Sequence, residues 1–288
     1  MNVPKGKLIA IGGSEDKSIF LDDSEDNYHK LDFYEAGVLR SVLSQMKGVA
    51  SHVEVITTAT SMPYEVGEDY VRAFKELGCQ INLLHIRERE HTRDSGYLKR
   101  LQEADGVLFT GGDQLKIIDV FSGTEALEIL KHRYQYDNFV IAGTSAGSMA
   151  MSEIMIEGGT SGNRSLMKGV VRIGKGLGFI KSIIIDSHFM KRGRFGRLTK
   201  TVAMHPECVG VGLGEDTGAI ISGDGELSVI GSGHVVIIDG KDSVCNDIQE
   251  TKYGMPFTIA GLKVHVLARN YQYNINKREF IPATQTVQ

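Results

Sequence analysis

The stretch Phe139–Ser152, FVIAGTSAGSMAMS, decides how the rest of the chain is read. Its first half is apolar and partly β-branched, as a buried strand requires. It ends in Gly143-Thr144-Ser145-Ala146-Gly147, and a small-residue segment with helical character follows. A serine wedged between small residues at such a junction has two uses. It makes a tight turn, glycine and serine being ordinary turn formers, or it holds a hydroxyl out from a sheet edge for chemistry.

The same alternation extends in both directions. Residues 7–12, 53–57, 81–86, 106–110 and 139–143 read as buried strands, and helical spacing is expected over 29–46 and 64–77, with Gly78 as a stop. Near-continuous apolar strands separated by helices predict an α/β fold with a mostly parallel central sheet and helices on both faces. Beyond about Ser182 the pattern becomes short β segments, expected to continue the sheet and to add a smaller β-rich C-terminal part from about residue 218. No low-complexity linker separates the halves, so residues 1–288 read as a single catalytic domain. Ser14–Asn27 and Gly158–Gly178 read as long surface loops.

Of the 288 residues, 41% are hydrophobic and 24% charged, the balance of a globular protein with a sizeable core. A formal net charge of -4 argues against a nucleic-acid partner held by phosphate neutralisation. No apolar run approaches the roughly 18 residues of a membrane span, so no membrane partner is expected. Cys79, Cys208 and Cys245 are far apart, with no CxxC spacing. Neither a disulfide framework nor a metal site is expected, and reduced thiols suit a cytoplasmic protein.

In parallel sheets ligands bind beyond the carboxyl ends of the strands. That puts the turns Gly12-Gly13-Ser14, Gly111-Gly112-Asp113 and Thr144-Ser145-Ala146 at one edge. The elbow fits G-x-S-x-G, in which the N–H of the next residue, Ala146, faces the position of an oxyanion. An activated serine needs a base and an orienting carboxylate. Of nine histidines, His188 stands out because it ends the β run Ile183–Phe189. Glu215 follows a second β run ending in glycine; Asp186 and Asp216 are alternatives that spacing does not separate from it. Thr110-Gly111-Gly112-Asp113-Gln114 exposes backbone N–H groups that suit the other half of an oxyanion hole. Neither Gly12-Gly13 nor the glycines around Lys175 give G-x-G-x-x-G, so no dinucleotide site is expected. Arg192, Arg194 and Arg197 cluster just past His188. Guanidinium groups grip carboxylates in bidentate fashion, which points to an acidic substrate.

Together IGGSEDK (Ile11–Lys17), TGGDQ (Thr110–Gln114), AGTSAGS (Ala142–Ser148) and D-x-H-F-x-x-R-x-R-x-x-R-L (Asp186–Leu198) resemble the cyanophycinases, serine peptidases related to dipeptidase E. The resemblance runs in order from about Gly6 to Gly240. It implies a glutamine-amidotransferase-like, flavodoxin-like fold and no metal or organic cofactor. It implies an exopeptidase acting on cyanophycin, a poly-aspartate carrying arginine on each β-carboxyl, with release of β-Asp-Arg dipeptides. It also implies a homodimer. Carried over by motif, Ser145 is the nucleophile, His188 its base and Glu215 the acid, with Gly112 and Ala146 as oxyanion amides. Gln114, Asp186, Ser187, Arg192, Arg194 and Arg197 fall at substrate-lining positions; with such a substrate, an acid such as Asp186 is the expected acceptor for its guanidinium. One departure stands out: the residue between Asp186 and His188 is glutamine in that pattern and Ser187 here. Its shorter reach bears on the choice of β-Asp-Arg over β-Asp-Lys. The competing expectations are an aspartyl dipeptidase of the dipeptidase E type and a non-catalytic binding protein on the same scaffold. A glutamine amidotransferase would carry cysteine at the elbow.

Overall fold

The computed structural model describes residues 3–17, 32–162 and 164–282. Five strands, β1 (Lys7–Ile11), β2 (Val53–Ile56), β3 (Ile81–Leu84), β4 (Gly106–Phe109) and β5 (Val140–Thr144), pair in parallel in the order β1-β5-β4-β2-β3. Every residue of β2, β4 and β5 is buried, as strands covered on both faces require.

Alternate residues supply the two faces. Ile9 and Ile11 pack with α1 (Val38–Ser44) and α2 (Pro63–Glu76), through Leu39, Val42, Tyr70 and Phe74. Leu8 and Ala10 face the opposite way, toward α3 (Ser95–Glu103), α4 (Gln114–Phe121) and α5 (Glu125–Tyr136). Full burial of a Leu, Ile or Phe side chain contributes about 1.5–3 kcal/mol, so these two layers carry much of the stability. A short α6 (Ala146–Met149) follows β5 directly.

The predicted helix over 29–46 is shorter in the structure. Residues 29–31 lie outside the described residues, and Asp32 accepts the N–H groups of Tyr34 and Glu35 in a turn, so that α1 begins only after Gly37. The remainder of the expected Ser14–Asn27 loop, residues 18–27, likewise lies outside the described residues. The expected loop Gly158–Gly178 contains a strand: β6 (Ile154–Gly159) pairs antiparallel with β7 (Val171–Lys175).

The second half divides between two sheets. β8 (Ile183–Asp186) and β9 (Val209–Leu213) pair in parallel, yet they belong to a separate four-stranded sheet rather than continuing the first. After Leu213 the chain crosses to the large sheet as β10 (Thr217–Ile221), antiparallel to β1, and β11 (Glu226–Gly231). It then returns to the second sheet as β12 (Val235–Asp239). After a small β13 (Cys245–Asn246) and β14 (Ile259–Ala260) pair, β15 (Lys263–Leu267) completes the second sheet. β16 (Gln272–Asn274) and β17 (Glu279–Ile281) complete the first, which has nine strands among the described residues. Inward residues of both sheets, including Val211, Ile237, Ala219 and Val229, belong to one buried cluster. The helix α7 (Phe195–Met204) covers the outer face of the second sheet through Leu198 and Val202. Two consequences matter for the site: β8 empties toward the loop after β1, and Glu215 sits on the crossing from β9 to β10.

Candidate active site

Ser145 stands between β5 and α6 at φ 50, ψ -110, a conformation that costs a non-glycine residue on the order of 1–3 kcal/mol. The turn is held from several sides. Ser145 N donates to Ile11 O at 2.9 Å, and Ser148 Oγ donates to Ile11 O at 3.0 Å and to Ser145 O at 2.7 Å. The glycines of G-x-S-x-G are there for close approach. A Cβ on Gly147 would lie 2.8 Å from Phe109 C, and one on Gly143 would lie 2.8 Å from Met151 Cε.

The side-chain oxygen faces the sheet edge. Ser145 Oγ lies 2.9 Å from His188 Nε2, and His188 Nδ1 lies 2.9 and 2.8 Å from the two oxygens of Glu215. With Nδ1–H donating to the carboxylate, Nε2 is left as the acceptor for the serine hydroxyl. His188 and Asp216 also have positive φ, 47 and 43. Among the described residues, six non-glycine positions do so, and Ser14, Ser145, His188 and Asp216 all belong to this edge. Backbone strain is thus concentrated where side chains must converge.

The β4–α4 turn flanks the elbow: a Cβ on Gly111 would lie 3.5 Å from Ser145 Cβ. Gly112 has φ 140 and no room for a side chain, since a Cβ would approach Thr60 N to 2.8 Å. Ala146 is the first residue of α6, so its N–H has no acceptor within the helix.

The six expected substrate-lining residues separate into two groups. Asp186 and Ser187 are buried, and so is Arg197. Asp186 is gripped by Arg197, with Nε donating at 2.6 Å and Nη2 also bonded, while Arg194 Nη1 donates to it at 3.2 Å. This corrects one expectation: the Asp186 carboxylate is spent inside the protein, because two arginines that follow on α7 and its lead-in fold back onto it, and it offers no oxygen to a ligand. Ser187 is turned inward as well, its Oγ 3.2 Å from Met149 Sδ. Gln114 uses its amide donors on the carbonyls of Ile156 (3.1 Å) and Glu157 (2.7 Å), tying α4 to β6. Arg194 is half-buried and donates to Ser187 O at 2.7 Å. Burial brings its pKa down to about 10, still a full cation at neutral pH. Arg192 is exposed.

Sequence reasoning missed Glu15, assigned to a surface loop. It is buried, accepts from Thr144 Oγ1 at 2.7 Å and from the Tyr70 hydroxyl, and pairs with Lys17 Nζ at 3.0 Å. Burial opposes its ionisation, but Lys17 and the two hydroxyls outweigh that and hold the carboxyl below its usual range. No periodic pattern marks a buried acid in a turn. Among the described residues there is no cluster of three or more His, Cys, Asp and Glu side chains fit to hold a metal ion. A cavity of about 340 Å³ beside Lys7 and Asp105 lies at the amino ends of β1 and β4, the opposite edge from Ser145.

An α/β scaffold that presents a serine at a strained elbow, hydrogen-bonded through an imidazole to a carboxylate, defines a serine-type hydrolase. The sequence profile described as Peptidase family S51 matches residues 30–230, and the chain belongs to that family of peptidases. A cyanophycinase of Trichormus variabilis is 34% identical over 287 residues, covering 98% of this chain and 90% of that one. A cyanophycinase of Geminocystis herdmanii is 30% identical over 271 residues, covering 94% of each. The crystal structure of a peptidase from an acI-B1 Actinobacterium superposes with a TM-score of 0.66 at 18% identity, covering 95% of this chain and 98% of that one, a likeness of fold.

Proposed function

We propose that the protein is a cyanophycinase, an exopeptidase that hydrolyses multi-L-arginyl-poly-L-aspartate to β-Asp-Arg dipeptides. The observation that carries the chemistry is the unbroken chain of contacts from Ser145 Oγ through His188 to Glu215. The similarity to cyanophycinases over nearly the whole chain supports the substrate.

In this reading Ser145 Oγ attacks the carbonyl carbon of an Asp–Asp peptide bond while His188 Nε2 takes the hydroxyl proton. Glu215 holds the imidazole in the required tautomer and stabilises the imidazolium. The N–H groups of Gly112 and Ala146 donate to the oxyanion as the tetrahedral adduct forms. His188 returns the proton to the leaving amine, the C–N bond breaks, and a water activated by the same imidazole hydrolyses the acyl-serine. Arg192, which is exposed, supplies positive charge for substrate carboxylates, while Arg194 and Arg197 stand behind it, paired with Asp186.

The test is mass spectrometry of products released from insoluble cyanophycin by the wild type and by Ser145→Ala. β-Asp-Arg from the wild type alone is expected. Dipeptide from both proteins, or from neither, would refute the assignment, and cleavage of aspartyl dipeptides with the polymer untouched would favour the dipeptidase reading. The setting proposed with this activity is a cytoplasmic homodimer, checked by light scattering of the purified chain. Among the described residues no helix is long and apolar enough to cross a membrane.

A further inference from the structure

Three consecutive carbonyls at the end of β1 each hold one limb of the site. Ile11 O accepts from Ser145 N, Gly12 O from His188 N and Gly13 O from Asp216 N, each at 2.9 Å. Asp216 is the neighbour of Glu215, so all three side chains of the Ser–His–Glu chain are referred to one short segment. The following residues repeat the pattern. Asp16 N donates to Asp216 Oδ1 at 3.0 Å, and the Glu15 carboxylate accepts from Thr144, the residue before Ser145. Tyr70 of α2 donates to the other Glu15 oxygen, and Lys17 pairs with Glu15 while lying 4.7 Å over the Tyr70 ring. Glu15 is 5% exposed. A carboxylate this buried costs several kcal/mol to desolvate, and here both oxygens and the charge are matched.

We propose that Glu15 is a positioning residue for the peptidase reaction and that Gly12–Lys17 is the jig that sets the register of the three limbs. Glu15 fixes the Thr144 side chain and with it the peptide plane that leads into Ser145. The strained φ at Ser145 then persists, and the hydroxyl meets His188 Nε2 rather than relaxing away. A strained residue is kept only where its surroundings over-determine it, and the Thr144–Glu15–Tyr70 link adds a side-chain constraint from outside the elbow to the one that Ile11 O places on Ser145 N. The inference rests on the Ser145–His188–Glu215 reading above. If Glu15 served only to staple α2 to β1, its loss would lower stability and leave turnover alone.

The experiment uses full-length Thr144→Val, which keeps shape and removes the donor, Thr144→Ser, which keeps the donor, and Glu15→Gln, with the Thr144→Val/Glu15→Gln double variant. The readouts are kcat and apparent KM on dispersed cyanophycin, the rate of Ser145 modification by a fluorophosphonate, and Tm. Thr144→Val and Glu15→Gln are each expected to lower kcat and the labelling rate by about 10- to 100-fold, with KM within about twofold, since a misplacement near 1 Å costs on the order of 10². The double variant is expected to be no worse than the worse single one, because both changes act on the same Thr144–Glu15 link. Thr144→Ser should restore turnover to within about threefold of wild type. Wild-type kcat and labelling in Thr144→Val at a lowered Tm would overturn the proposal, and so would losses that multiply in the double variant. A wild type unreactive toward the fluorophosphonate would sink the serine reading itself and this inference with it, whereas normal wild-type labelling with unaffected variants sinks only the positioning role.

Discussion

Gly13→Ala tests whether the imidazole works where it stands. A Cβ at position 13 would lie 2.6 Å from His188 Nε2 and 3.1 Å from Nδ1, and Gly13 has φ 108, which a side chain rarely adopts. Ordinary contact begins near 3.4 Å and the ring carbon Cε1 lies closer still than Nε2, so the ring must retreat by roughly 1 Å. That shift takes Nε2 away from Ser145 Oγ, now 2.9 Å distant, and the proton transfer loses its hydrogen bond. Misplacement of this size is expected to lower kcat by on the order of 10². The strained backbone would add a stability loss of about 1–3 kcal/mol. The assay is dipeptide release from cyanophycin alongside the fluorophosphonate labelling rate, with Tm as the measure of folding. A folded Gly13→Ala protein that turns over within about threefold of wild type would refute the reasoning, since His188 could not then be the base in the position described.

Three further outcomes follow from other parts of the structure. Arg197→Met should cost about 3–5 kcal/mol by leaving Asp186 short of its main partner, whereas the exposed Arg192→Ala should leave Tm unchanged and raise KM; chemical denaturation and steady-state kinetics separate the two. Glu15 is held below its unfolded value of 4.5, so its stabilising contribution is present above about that pH and is lost as pH falls through the lower folded value; the Tm difference between wild type and Glu15→Gln should therefore shrink on acidification, and a difference that grows would contradict the sign. Cys245 is exposed, while Cys79 and Cys208 are buried and desolvation raises Cys208 to about 11; a thiol reagent should modify Cys245 alone in native protein and all three after unfolding.

The two sheets show where sequence reading stops. β8 and β9 look like further parallel strands of the first sheet because Ile183–Asp186 and Val209–Leu213 carry the same apolar run as β1 to β5. Burial on both faces is all that such a run reports, and it is equally met between the first sheet and α7. The arginines after His188 were legible as a charge cluster, but the same reading assigned Asp186 to a ligand. Only packing decides that Arg194 and Arg197 turn inward to it.

What the chain dictates by itself is local: strands from continuous apolar runs, the elbow from Gly143 and Gly147, and candidate chemistry at positions where β patterns end, Ser145, His188 and Glu215 among them. Those signals act over a few residues, through burial and turn sterics. Tertiary structure alone decided which strand ends meet, that Ile11, Gly12 and Gly13 hold all three limbs, and that Glu15 reaches Thr144 across 129 positions. Partners so far apart are selected by the closure of the whole fold, and no spacing within a segment encodes them.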